Sequence, residues 1–306
     1  MAFTAADVKN LREMTGVGMM DCKKALTEAD GDVDKAIEYL REKGLAKAAK
    51  KAGRIAAEGV SYALVENGVG ALVEVNCETD FCAKSAPFVA FVKDIAKVVA
   101  DNDPADVDTL MNCKYPGTEL TVSETMPEKV MSIGENLQIR RFVRYAEGVN
   151  VPYIHMGGKI GVLVNLAVEG GVDATEIGKN VAMQIAALNP RFWDKSQVGQ
   201  DVLDEEKKIM MVQMENDPKM ASKPEAVREK IVMGKLNKFY SENCLLQQEF
   251  VKDNSMSVEQ YIASAAKAAG GKVTFKDAIR FEKGEGIEKK EENFAAEVAA
   301  QMNQGK

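Results

Sequence analysis

The sequence holds a single histidine, His155, and five cysteines, Cys22, Cys77, Cys82, Cys113 and Cys244, among which no CxxC pair occurs. That scarcity excludes the common structural zinc sites, whose ligands come in short paired spacings. Cys77 and Cys82 are the one close pair, so a metal would need distant or carboxylate ligands, and no metal site is expected. An odd, scattered set of thiols in a long chain fits reduced cysteines rather than a disulfide framework. No run approaches the roughly 18 uninterrupted apolar residues of a membrane helix, and the opening Met1-Ala2-Phe3-Thr4-Ala5-Ala6-Asp7 lacks the basic region and apolar core of an export signal. The chain is therefore expected in the cytoplasm, without membrane contact. Basic residues are not in excess either: 40 Lys plus Arg against 47 Asp plus Glu give a formal net charge of -7, which leaves no global footprint for direct nucleic-acid binding. A protein or a small ligand is the expected partner.

Phosphate-binding loops are missing as well. Gly16-Val17-Gly18 has no Gly-Lys-Ser/Thr behind it and no strand before it, so it reads as a helix-helix turn. Gly68-Val69-Gly70 lacks the third glycine and the downstream acid of a dinucleotide fingerprint. A nucleophile at Cys77 or Cys82 with His155 as base would have neither an orienting partner nor oxyanion donors in view. No catalytic residue and no cofactor are expected.

What is present organises into blocks. At 306 residues and 46% hydrophobic content the chain fills two or three compact units. Thr4-Ala5-Ala6-Asp7 has the form of a capping box, followed by Val8 and Leu11 at helical spacing. Met19, Cys22, Ala25 and Leu26 make a second stripe, and Val33, Ala36, Ile37 and Leu40 a third that is expected to stop near Gly44. Lys47, Lys50, Lys51 and Arg54 then line one face of a basic linker helix, a solvated face that can also steer toward an acidic partner. Tyr62, Gly70, Leu72, Val73 and Val75 recur in order and spacing as Tyr153, Gly161, Leu163, Val164 and Leu166, so two α/β halves are predicted. Each holds a strand, a turn at Asn67-Gly68 or Gly157-Gly158, a second strand and a helix. A further strand is predicted from Leu137 to Val143. From Leu203 to about Phe250 a helical hairpin divides near Pro218 and Pro224, with Leu203, Met210 and Met214 on one stretch and Val227, Ile231 and Phe239 on the other.

The apolar run Val73-Glu74-Val75-Asn76-Cys77 empties into Glu78-Thr79-Asp80-Phe81, a polar corner carrying a ring beside a carboxylate. Two readings stand together. Thr79 or Asp80 caps a helix while Phe81 folds back as a hydrophobic staple, or Phe81 stands out as a wedge for a partner.

End to end, the sequence resembles the bacterial elongation factor Ts family, the guanine-nucleotide exchange factors of elongation factor Tu. The resemblance rests on Thr15-Gly16-Val17-Gly18-Met19-Met20-Asp21-Cys22-Lys23-Lys24-Ala25-Leu26, on Glu74 to Phe81, and on Ile133-Gly134-Glu135-Asn136 with Ile139-Arg140-Arg141. Arg280-Phe281-Glu282, Gly284-Glu285-Gly286-Ile287-Glu288-Lys289 and Phe294-Ala295-Ala296-Glu297-Val298 complete it. It implies an α+β fold: an N-terminal three-helix ubiquitin-associated-like module (1-44), the linker (45-58), a duplicated α/β core (59-148, then 149-202 with 251-281), an inserted antiparallel helical hairpin (203-250) and a C-terminal helical module (282-306). It also implies that the chain binds elongation factor Tu in its GDP-bound and nucleotide-free states and is not an enzyme in the bond-making sense. Thr79, Asp80, Phe81 and Cys82 would form the segment that dislocates the partner's magnesium. Ile133, Gly134 and His155 would line the core contact, with Lys23, Lys51 and Val251 as further contacts. Homodimerisation through the hairpin stays open. The chain departs from the family pattern at Cys82, where valine is usual, and at Glu249, where proline is.

Overall fold

The computed structural model describes residues 3-288. Three helices open the chain: α1 (Ala5–Thr15), α2 (Met19–Glu28) and α3 (Val33–Lys51). Thr4 and Asp7 close the expected capping box, the Asp7 carboxylate taking the Thr4 N–H at 2.7 Å. Leu11, Cys22, Ala25, Leu26, Ala36 and Leu40 form a small core, whereas Met19 stands at the surface beside Met20. The core is completed from outside by Met131, since three short helices bury too little to stand comfortably alone.

The third helix does not stop at Gly44. It runs unbroken to Lys51, because glycine here serves close approach: a Cβ on Gly44 would sit 3.3 Å from the carbonyl oxygen of Pro127. The expected break between module and linker helix is thus absent, and residues 55-57 carry the chain without regular structure into the first strand.

The first half of the core is an antiparallel sheet of β1 (Glu58–Glu66), β2 (Val69–Cys77) and β3 (Gln138–Tyr145), in the order β1-β2-β3. Between β2 and β3 come α4 (Asp80–Lys84), α5 (Ala86–Asn102), α6 (Val107–Met111) and α7 (Val122–Ile133). Phe88, Phe91, Val92, Ile95 and Val99 recur at helical spacing on α5 and press onto Val73 and Val75. The second half repeats the plan with β4 (Val149–His155), β5 (Ile160–Glu169) and α8 (Thr175–Leu188). Its third strand arrives only after an insertion of α9 (Gln200–Glu215), α10 (Pro218–Ala221) and α11 (Glu225–Asn243). A two-strand ribbon, β6 (Glu249–Phe250) with β7 (Asp253–Ser257), leads into α12 (Val258–Ala268) and β8 (Lys272–Glu282), which pairs with β5. The β2-β3 ladder is bulged at Glu74/Val75 and the β5-β8 ladder at Asn165/Leu166, the same step of the repeat.

The two sheets meet face to face through Ala63, Leu72, Leu163 and Phe281. Repeat-related glycines set the spacing: a Cβ on Gly70 would lie 2.9 Å from Leu163 Cδ1, and one on Gly161 2.7 Å from Leu72 Cδ1. Helices cover the outer faces, so β2 and β5 are buried on both sides and their sequences read as apolar runs rather than alternations. The result is the α+β class expected from the sequence.

Within the insertion, the buried side chains of α11 are Val232, Leu236 and Phe239, not the expected Val227 and Ile231; Val227 is exposed and Ile231 half-buried. Phe239 packs with Leu203 and Met210 of α9. Glu249 and Phe250 pair with the ribbon strand that follows rather than extending a helix. The C-terminal segment containing Phe294 to Val298 lies outside the described residues. Among the described residues no helix is long and apolar enough to cross a membrane.

Candidate functional site

Strand β2 ends at Cys77 and the chain turns at once into α4. Thr79 is the cap: its hydroxyl accepts from the Cys82 N–H at 3.2 Å, an interaction that stabilises a helix start by about 1 kcal/mol. Phe81, two positions on, is 84% exposed. Of the two readings of this corner the staple therefore fails, because a staple would bury the ring against the core. The exposure is maintained by pinning the backbone on either side. Glu135 Oε2 accepts from the Glu78 N–H at 2.9 Å and the Thr79 N–H at 3.0 Å, while the Thr79 hydroxyl donates to Oε1 at 2.6 Å. In return Glu78 Oε1 accepts the Asn136 N–H at 2.6 Å, and the Asn136 amide donates to the Arg54 carbonyl at 2.8 Å. Each carboxylate holds the other's loop, and hydrogen bonds to a charged acceptor are stronger than neutral ones. Gly134 caps α7 in the left-handed region (φ 92°), and its carbonyl accepts from Lys51 Nζ at the end of α3. The exposed ring therefore sits on a segment tied to α7 and, through Lys51, to α3.

The chemistry of the corner is not that of a nucleophile. Asp80 pairs with Lys84 at 2.7 Å, and that hydrogen bond holds its carboxyl below the usual carboxylate range. The Cys77 thiol is pushed far above the usual thiol range, first by its hydrogen bond with Cys82 and then by burial. It donates to the Thr79 carbonyl at 3.3 Å. Cys22, Cys113 and Cys244 are raised by burial as well. His155 has its Nδ1 engaged with the Tyr153 hydroxyl at 3.1 Å. A thiolate-imidazole pair is thus not assembled. Cys77, Cys82 and Glu135 do place a ligand atom each within 4.8 Å of one another, a grouping that neighbours in sequence did not reveal.

The sequence comparisons decide the family. A profile described as "Elongation factor TS" matches residues 78-285, most of the chain. The chain belongs to the elongation factor Ts family. Elongation factor Ts of Clostridium botulinum (strain Eklund 17B / Type B) is 49% identical over 304 residues, spanning 98% of this chain and 99% of that protein. Elongation factor Ts of Clostridium kluyveri (strain NBRC 12016) is 51% identical over 305 residues, spanning 98% of each. The matched elongation factor Ts span opens at Glu78, within the pinned segment, and closes at Glu285, whose carboxylate meets Arg141 at 3.0 Å.

Of the site residues expected for an elongation factor Ts, the fold brings Thr79, Asp80, Phe81, Cys82, Gly134 and Lys51 into one neighbourhood, with Ile133 half-buried at the end of α7. His155 is the last residue of β4, opposite Ile160 of β5, and in the turn that follows Gly158 packs on Val60 of β1. Lys23 is exposed on α2, and Val251 is exposed in the ribbon turn, its N–H donating to Gln184 at 2.8 Å. These last two sit on elements that do not hold the segment. Glu78, Glu135 and Asn136 stand within the motifs that carry the family resemblance, but their roles do not follow from those motifs. The available signal was that a Gly-Glu-Asn turn follows a helix directly, which leaves its carboxylate free to cap another loop.

Proposed function

We propose that this protein promotes GDP release from elongation factor Tu, and hence reloading with GTP, by inserting Phe81 beside the partner's magnesium and phosphate site. The observation that carries the reading is an aromatic ring 84% exposed on a backbone fixed by Glu135, with no nucleophile or base assembled beside it among the described residues. No bond-making step is needed. A protein that binds the empty state of its partner more tightly than the loaded state must weaken nucleotide binding by the same coupling free energy.

Magnitudes divide the labour. A ten-thousandfold shift requires about 5.5 kcal/mol of differential interaction. Burying one phenylalanine supplies about 1.5-3 kcal/mol. Phe81 therefore acts with anchoring contacts, for which the exposed Met19, Met20 and Lys23 of the first module, with Ile133 and Gly134, are the candidates. Thr79 and Cys82 shape the segment, and Asp80 brings a carboxylate to the metal's surroundings.

The test is the dissociation rate of a fluorescent GDP analogue from elongation factor Tu, alone, with this protein and with its Phe81→Ala variant. Strong acceleration by the parent and weak acceleration by a variant that still binds supports the wedge. Complex formation without acceleration by the parent would reduce the protein to a scaffold. Because α3 runs through residue 44, cutting there would sever a helix, so the anchoring role is better tested with Lys23→Glu, which should weaken binding and leave the rate at saturation unchanged.

A further inference from the structure

We propose that Cys77, Cys82 and Glu135 form a binding site for one thiophilic divalent cation, zinc in the first instance. Three separate elements deliver the ligands: the end of β2, the first turn of α4 and the loop behind α7. Their ligand atoms already lie within 4.8 Å of one another. A tetrahedral zinc with bonds of about 2.3 Å to sulfur and 2.0-2.2 Å to oxygen separates its ligands by about 3.6-3.8 Å, so a small contraction completes the set. The fourth position falls to water.

Preorganisation favours the site over a chance grouping. Both thiols are buried, Cys77 fully and Cys82 to 7% exposure. Glu135 is oriented by its bonds from Glu78 and Thr79, the kind of outer support that holds a metal-binding carboxylate in place. Its Oε2 accepts two of these bonds and Oε1 only one, so Oε1 keeps a lone pair for a cation. Two thiolates, one carboxylate and a dication leave a single net negative charge. Lys51 bonds the Gly134 carbonyl next to Glu135, and Arg54 lies 3.4 Å from Glu78.

Binding forms two sulfur-zinc bonds and one oxygen-zinc bond and releases the two thiol protons to water. Affinity should therefore rise with pH, by up to about a hundredfold per unit while both thiols are protonated.

The experiment uses the full chain, reduced and stripped of metal, titrated with Zn2+ against a chromophoric chelator and separately with Co2+. The expected result is one equivalent of zinc and an intense thiolate-to-cobalt charge-transfer band. Cys82→Val should lose the band and bind zinc more than about a hundredfold more weakly, beyond the effect of losing an outer-shell partner. Glu135→Gln should weaken binding while keeping the band. Cys113→Ser, at a half-buried thiol away from the cluster, should bind as the parent does. Absence of the band in the folded parent, or equal zinc affinity in the parent and Cys82→Val, would overturn the site. The titration uses the chain without elongation factor Tu, so its outcome is independent of the exchange reading.

Discussion

Glu135 accepts three hydrogen bonds from two consecutive residues, and the position of Phe81 depends on them more than on any contact the ring makes. Replacing it by alanine leaves two backbone N–H groups without their charged acceptor, a local loss of about 1.5-3 kcal/mol. The Glu78 and Thr79 amides should then exchange with deuterium at least about tenfold faster, and GDP release should slow toward the Phe81→Ala rate. Unchanged amide protection would show that α4 holds the segment unaided. Phe81→Ala itself should leave the melting temperature within the range of a surface change, about 0.5 kcal/mol, because the ring is already in water. A different residue-scale effect comes from Cys244, whose thiol burial pushes up to about 11 from 9.0. The unfolded chain loses this proton first, so the native form binds more protons between pH 9.0 and about 11 and stability falls as pH rises through that window. The slope from this thiol reaches about 1.4 kcal/mol per pH unit, and thermal unfolding from pH 8 to 11 should be less steep in Cys244→Val than in the parent.

Helices whose ends are fixed by adjacent residues were readable from the sequence; helices whose limits or faces are fixed by distant residues were not. The Thr4-Asp7 box and the Pro218 and Pro224 breaks depend on neighbours, and each stands where the pattern put it. Gly44 looked like a stop because glycine usually ends helices, yet its role is to admit Pro127 of α7, far off in sequence. On α11, Val227 and Ile231 fit a helical stripe as well as Val232 and Leu236 do, and only packing against α9 selects the latter. The selection predicts a sharp contrast. Leu236→Ala should destabilise the chain by about 2-4 kcal/mol, while Val227→Ala should fall within about 0.5 kcal/mol in denaturant titrations. Comparable losses would mean that α11 has turned about its axis. The corner at Thr79 behaved the same way: its cap was visible locally, but the choice between a staple and an exposed ring rested on Glu135.

At the scale of the molecule, the sheets are joined by a contact that the repeat displays twice, Gly70 against Leu163 and Gly161 against Leu72. Adding a methyl group at Gly161 forces Leu72 aside, and Gly161→Ala should cost about 1-3 kcal/mol while keeping a single unfolding transition. Two separate transitions would show that the halves fold independently. The second bond between halves is made by Glu74, fully buried in β2, which meets Arg140 at 2.9 Å, Arg141 at 2.6 Å and the Gly284 N–H at 2.7 Å. Arg141 also stacks on the Phe281 ring of β8 at 4.2 Å. Everything that closes this cluster from the far side lies at the end of β8 and just beyond it. A ribosome making this chain delivers β5 with one edge bare, and that edge stays bare while the whole helical insertion and α12 are being synthesised. Val162, Val164 and Leu166 are then a strand awaiting its neighbour, a state open to pairing with another nascent copy. A ribosome stalled before Lys272 should accordingly hold a protease-sensitive second half, and β8, the last of the described strands to emerge, is the one that makes the product safe from its own siblings.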